Sequence, residues 1–224
     1  MPPATVSKRP AARRTRTTSV ERRDQILHEA ARCFGTRGFR GTTTRDVANA
    51  VGITEAALYR YFPGKEAMYA AILDARMAAP PVTVALEPLA AARDDRRVFT
   101  ELALTILRSV EADPSFLRLL LYSALEGHEM ARPFYETRMR RLREFLTRYI
   151  ALRVRDGAFR SIDPVLSARA FVGMVADHLI VRTVFGQRDP QTLSLERVAE
   201  AFTSIYLDGV LVRTPRKRSG VTRG

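Results

Sequence analysis

Residues 34–69 read FGTRGFRGTTTRDVANAVGITEAALYRYFPGKEAMY, and this stretch decides the fold. Asp46, Val47, Ala48 and Ala50 belong to a short helix that follows a threonine run. Gly52 ends that helix, because glycine takes the left-handed conformation at a helix C-terminus with little cost. Thr43 is the expected N-cap, with Asp46 three residues on in the acidic position of a capping box. Ile53 turns inward, and Thr54 caps a second helix over 55–62 whose buried edge is Leu58 and Phe62, four apart. Its other faces carry Glu55, Ala56, Tyr59, Arg60 and Tyr61. Two short helices joined by a tight glycine-containing turn, the second rich in groups that reach phosphates and base edges, make a unit shaped to enter a DNA groove.

Working outward, the chain reads as helix throughout. A first helix over 19–36, with Ser19 as its cap, carries Ile26, Leu27, Ala30, Ala31 and Phe34 as one apolar stripe, and Cys33 beside Phe34 is a small core residue. A connecting helix over 64–78 follows the motif and ends at Pro80-Pro81. Helical patterns then run over 94–111, 115–126, 130–155, 165–185 and 195–212, separated by Asp113-Pro114, Gly127, Gly157, Asp163-Pro164 and 186–190. No stretch shows sustained strand alternation. The expected fold is all-α with about nine helices: a disordered basic arm over 1–18, a three-helix helix-turn-helix unit over 19–65, a larger helical regulatory and dimerisation body over 66–212, and a basic tail over 213–224.

The charge distribution points the same way. Of 37 basic and 24 acidic residues, 14 and 7 fall in residues 1–78, and 5 and none in residues 213–224, so the middle is nearly neutral at 18 against 17. A basic front end and tail around a neutral body suit contact with a polyanion by one part of the molecule, since phosphate neutralisation releases counterions. A single cysteine excludes an internal disulfide framework. No apolar run approaches the roughly 18 residues needed to cross a bilayer, and no apolar signal region follows the basic N-terminus, so a cytoplasmic protein without membrane contact is expected.

The set Phe34, Gly38-Phe39, Thr42-Thr43, Asp46-Val47-Ala48, Val51-Gly52-Ile53, Leu58-Tyr59-Arg60-Tyr61-Phe62 and Lys65 resembles the TetR/AcrR family of helix-turn-helix transcriptional regulators. Ala56 stands where the family most often has glycine, and Thr54 where serine is commoner. The resemblance implies a homodimeric regulator, a repressor released from a palindromic operator on double-stranded DNA by a small-molecule effector. It also implies that Thr44 and Arg45 touch DNA and that Tyr59, Tyr61 and Lys65 hold the phosphate backbone. From the residues themselves, Thr43, Thr44 and Arg45 sit at a positive helix end suited to phosphate. Thr54, Glu55, Ala56 and Ala57 form the turn that reaches base edges, with Arg60 on the same short helix. Glu55 accepts from a cytosine amino group or is a plain N-terminal helix charge; Ala56 or Ala57 meets a thymine methyl.

In the body, the pattern over 165–185 is apolar around its circumference and must be buried on both sides. It is either a wholly internal core helix or, with the final helix, a seam between two copies. The resemblance favours the seam, with Phe171, Val175, Leu179, Val198, Phe202, Ile205, Tyr206 and Gly209 as its residues. Phe116, Leu120, Tyr122, Phe134, Met174, Asp177 and His178 are the candidate lining of an effector pocket, with Glu126 and Glu129 as further polar groups. No metal or cofactor is expected, because His28, His128 and His178 show no ligand spacing with Cys33. Neither a nucleophile elbow nor a paired-carboxylate constellation supports an enzyme. Two rival readings remain: a constitutive DNA-binding regulator of the same fold without a ligand, and a non-specific architectural DNA binder.

Overall fold

The computed structural model describes residues 18–127, 129–187 and 193–211. The basic arm apart from Thr18, the basic tail and His128 lie outside them. Nine α-helices of eight or more residues are present among the described residues: α1 (Ser19–Arg37), α2 (Thr44–Val51), α4 (Lys65–Ala78), α5 (Val82–Ala91), α6 (Asp95–Ala112), α7 (Ser115–Leu125), α9 (Arg140–Arg155), α10 (Pro164–Thr183) and α11 (Leu195–Val210). Two shorter ones, α3 (Glu55–Tyr59) and α8 (Arg132–Phe134), complete the all-α architecture expected from the sequence.

Two apolar cores hold these helices. The first gathers Ile26, Ala30 and Phe34 of α1, Val47 and Val51 of α2, Leu58 of α3 and Met68, Tyr69 and Ile72 of α4, and it runs on to Leu119 of α7 and Phe134 of α8. The second joins α5, α6, α9, α10 and α11 around Phe99, whose ring lies 4.8 Å from that of Phe171 and 4.6 Å from that of Tyr206. Fully burying one such side chain contributes about 1.5–3 kcal/mol.

Local chemistry sets the boundaries. Thr18, not Ser19, caps α1: its side chain accepts from the Glu21 amide while the Glu21 carboxylate returns a bond to the Thr18 amide. A glutamate at the third position completes that box, which Ser19 with Arg22 lacks. Thr43 and Asp46 form the same box on α2, and Gly52 closes α2 at φ 76° and ψ 37°. The regular part of α3 stops at Tyr59 rather than 62, although Phe62 is buried.

Three features depart from the sequence expectation. Helix α5 was not expected after Pro80-Pro81, and it contains Pro88; only Leu86 is fully buried in it, too sparse a pattern to announce a helix. The expected single helix over 130–155 is broken: a 3₁₀ turn (Glu129–Ala131), α8 and a wide π-helical turn (Tyr135–Met139) precede α9. Helix α10 is long and apolar enough to cross a membrane by length and composition, contrary to the expectation that no run approaches that length. Its Ala168, Phe171, Val175 and Leu179 pack into the second core.

Candidate functional site

The helix-turn-helix converges on one polar cluster. Thr43 turns the chain into α2: its hydroxyl accepts from the Asp46 amide at 3.1 Å and donates to the Asp46 carboxylate at 2.6 Å. Arg37, from the last turn of α1, donates to the same carboxylate at 2.8 Å and ties the two helices together. The bonds from Thr43 hold the Asp46 carboxyl below its ordinary pKa, with Arg37 adding to the effect. One residue on, the Thr44 hydroxyl donates to Glu55 across the turn at 2.5 Å and lies 3.4 Å from the Tyr59 hydroxyl. The Arg45 guanidinium is 3.6 Å from the other Glu55 oxygen and is largely solvent-exposed.

Glu55 therefore bridges Thr44 and Arg45, which neither sequence reading of it foresaw. Thr54 caps α3 through the Ala57 amide at 3.1 Å, so the amide at Ala57 already has an acceptor. Ala56, Tyr59 and Arg60 are exposed beside the cluster, while Ala57 and Tyr61 are half-buried, Tyr61 against the first core.

Lys65 points elsewhere. Its ammonium donates to the carbonyls of Phe39 at 2.9 Å and Thr42 at 3.1 Å and lies 4.5 Å over the Phe39 ring. Two of three donors are thus spent on the loop that presents α2. Lys65 thus fixes the α1–α2 loop from the first residue of α4, a structural role beside the phosphate contact that the resemblance implies.

Helix α7 grips the same region from the other side, through residues four apart. Arg118 donates to the Gly35 carbonyl at 2.8 Å, Tyr122 donates to the Thr36 carbonyl at 3.1 Å, and Glu126 accepts from the Phe39 amide at 3.2 Å. Gly38, at φ 73°, lies so close that a Cβ there would run into the Glu126 carboxylate. The tie between Tyr69 of α4 and Ser123 adds a buried bond to this seam. From the sequence, Arg118 has no role and Tyr122 and Glu126 stand among the candidate pocket groups, so their docking role is a finding of the structure. The signal was that Arg118 and Glu126 are the only charges in an otherwise apolar segment and share one helical edge with Tyr122.

At the far end of α4 lies a cavity of about 210 Å³. Its walls are Arg76, Ala79, Pro80, Pro81, Val82, Thr83, Ser109, Phe116, Phe134, Arg138, Met139, Arg141 and Leu142. Phe116 and Phe134, packed edge to face at 5.0 Å, are the two expected pocket residues that line it. The other five are placed differently. Leu120 packs on the first core and Tyr122 is bonded to α1. Met174 lines a groove on the outer side of α10 and α11, Asp177 is exposed, and His178 stands against the Phe202 ring at 5.7 Å. A helical pattern shows which residues are apolar, not which of two opposed faces they take.

The same limit corrects most of the expected seam. Phe171 and Val175 are 0% exposed, and Leu179, Val198 and Tyr206 are also buried, all in the subunit's own second core. Only Phe202, half-buried, and Ile205 and Gly209, exposed, reach the outside. The outward strip instead combines Leu166, Ala170 and Gly173 of α10 with Ala201, Ile205 and Gly209 of α11. Between the helices runs an open groove of about 560 Å³ that includes Leu166, Ala170, Met174 and Ile205.

Comparison with known proteins agrees with this geometry. Residues 26–72 match the family model described as bacterial regulatory proteins, tetR family, and residues 97–209 match the C-terminal domain of AefR-like transcriptional repressors. The transcriptional repressor KstR2 of Rhodococcus jostii is 32% identical over 193 residues, covering 84% of this chain and 91% of its own. Among solved structures, the TetR family regulator PfmR from Thermus thermophilus superposes with a TM-score of 0.65 at 25% identity, covering 82% of this chain and 97% of its own. AibR in complex with isovaleryl coenzyme A and operator DNA superposes with a TM-score of 0.59 at 24% identity, covering 83% and 97%. The two-helix DNA reader, the helical body docked on it and these matches together establish that the chain belongs to the TetR family of bacterial transcriptional regulators.

Proposed function

We propose that this DNA-binding transcriptional repressor reads a palindromic operator through Thr44, Arg45, Glu55, Ala56 and Tyr59, and leaves it when a small molecule occupies the cavity at the end of α4. The observation that carries the reading is that α4 is held by specific bonds at both ends. At its first residue Lys65 fixes the loop that presents α2, and in its last turn Arg76 and the final carbonyls are held by groups that line or adjoin the cavity. Displacement at the cavity therefore moves the reading head as a lever does. AibR, which shares the fold, has been solved with both isovaleryl coenzyme A and operator DNA bound.

Two copies meet through the outward strip of α10 and α11, whose small residues allow close helix approach. Operator reading by such a dimer requires its two α3 helices to reach successive major grooves, about 34 Å apart. The protein works in the cytoplasm as this homodimer, with DNA as its partner.

Selection of bound sequences from a random pool, followed by binding measured against salt, tests the reading. A palindromic consensus should emerge, and Arg45→Ala should lower operator affinity about tenfold and reduce the salt slope by about 1 without changing stability. Equal affinity for the consensus and for random DNA would instead support an architectural binder. Effector release should be reciprocal, operator DNA weakening effector binding by the same factor, a coupling of about 1–3 kcal/mol.

A further inference from the structure

We infer that the cavity at the end of α4 takes a short-chain organic anion, an apolar body of a few carbons with a carboxylate or phosphate head, and that Arg138 and Arg141 hold the head. This rests on the effector-responsive reading above and names the ligand class for it. Three guanidinium side chains line the space, and none of the described lining residues is acidic. Arg76 is already neutralised: it donates to Asp113 at 2.7 Å and lies 4.8 Å over the Phe116 ring. Arg138 and Arg141 have no carboxylate partner among the described residues. A pair of forked cations without a carboxylate partner beside an apolar pocket suits an oxyanion in charge and in hydrogen-bonding capacity. Phe116, Phe134 and Leu142 supply apolar wall, and a cavity of about 210 Å³ has room for a short carbon chain.

Arg138 also explains how such a ligand would be felt. One of its nitrogens, Nη2, donates to the carbonyls of Arg76 at 2.8 Å, Met77 at 2.7 Å and Ala79, and so caps the C-terminus of α4. These are carbonyls that a helix end leaves without intrahelical partners. Arg138 sits in the π-helical turn Tyr135–Met139, a winding that occurs mostly as single turns and often at functional sites. An anion drawing the guanidinium into the cavity competes with those three carbonyls, and the end of α4 is released.

Calorimetry on the full chain without DNA tests the ligand class, with hexanoate and hexyl phosphate against hexanamide and methyl hexanoate. The anions should bind about tenfold more tightly or better than their neutral analogues, and the stronger of the two identifies the head group. Arg141→Gln, on an exposed side chain, should remove most of that preference, and Arg138→Lys should weaken it while keeping the charge. Equal binding of hexanamide, no binding of either anion at millimolar concentration, or an unchanged preference in Arg141→Gln would overturn the inference. A separate measurement of operator affinity with hexanoate present keeps the two readings apart: an anion that binds but leaves operator affinity unchanged confirms the site and removes the effector role.

Discussion

Helices α2 and α3 and helices α10 and α11 both form pairs with one face packed inward, yet what each pair leaves outside is opposite. On the first, the outward groups are Thr44 and Arg45, bridged by Glu55, with Tyr59 beside Thr44 and Arg60 exposed on the same short helix. On the second they are Leu166, Ala170, Gly173, Ile205 and Gly209, with Leu166 60% and Ile205 63% exposed. A polar outward face is stable in water and waits for a polyanion, whereas a contiguous apolar strip of large and small residues is stable only when covered. The contrast is what supports the proposal of DNA at one end and a second copy of the chain at the other.

The largest effect expected from breaking this contrast comes from Ile205→Asp. A charge on the covered strip should give a folded monomer, seen by sedimentation, whose operator affinity falls by about two orders of magnitude or more, since an uncompensated buried charge costs several kcal/mol. The paired variant Val175→Asp should unfold the subunit itself, because Val175 lies in the second core. A native-like fold for Val175→Asp together with an intact dimer for Ile205→Asp would reverse the assignment of inner and outer faces.

An intermediate effect sharpens the description of the reading head. Lys65→Ala removes the donor to the Phe39 and Thr42 carbonyls and should cost about 1–3 kcal/mol in urea unfolding. Binding by the folded fraction should keep its salt slope. A slope lowered by about 1 with unchanged stability would place Lys65 in the phosphate-contacting set instead.

The smallest effect concerns the inner face of α11. The Tyr206 phenol is pushed up to about 12 by burial, against the pull of its 2.7 Å bond to Ser167, with the Asp95 charge adding to the rise. A folded-state pKa above the unfolded value means stability that is complete below the unfolded phenol range near pH 10 and lost as the pH rises through about 12. Tyr206→Phe should be about 1 kcal/mol less stable at neutral pH for want of the Ser167 bond, and the deficit should shrink between pH 10 and 12. Denaturation followed by circular dichroism at pH 7 and pH 11 measures both; a deficit that grows with pH would mean that Tyr206 is not held neutral in the core.

What the sequence by itself determined was local. The capping box of Thr43 and Asp46, the left-handed Gly52 and the cap at Thr54 each depend on residues within four positions of one another, and the structure has them where the spacing put them. The helix-turn-helix follows from that short-range grammar, and the resemblance to the family rests on the same stretch. Tertiary structure alone decided everything that depends on which side of a helix meets another. It turned Phe171 and Val175 inward and Ile205 outward, gave Lys65 to the loop carbonyls, spent Tyr122 and Glu126 on docking α1, and brought Arg138 from a distant turn onto the end of α4. The reason is physical: a helix apolar all round has no preferred face of its own, and a long cationic side chain takes whichever acceptors the assembled fold leaves unpaired.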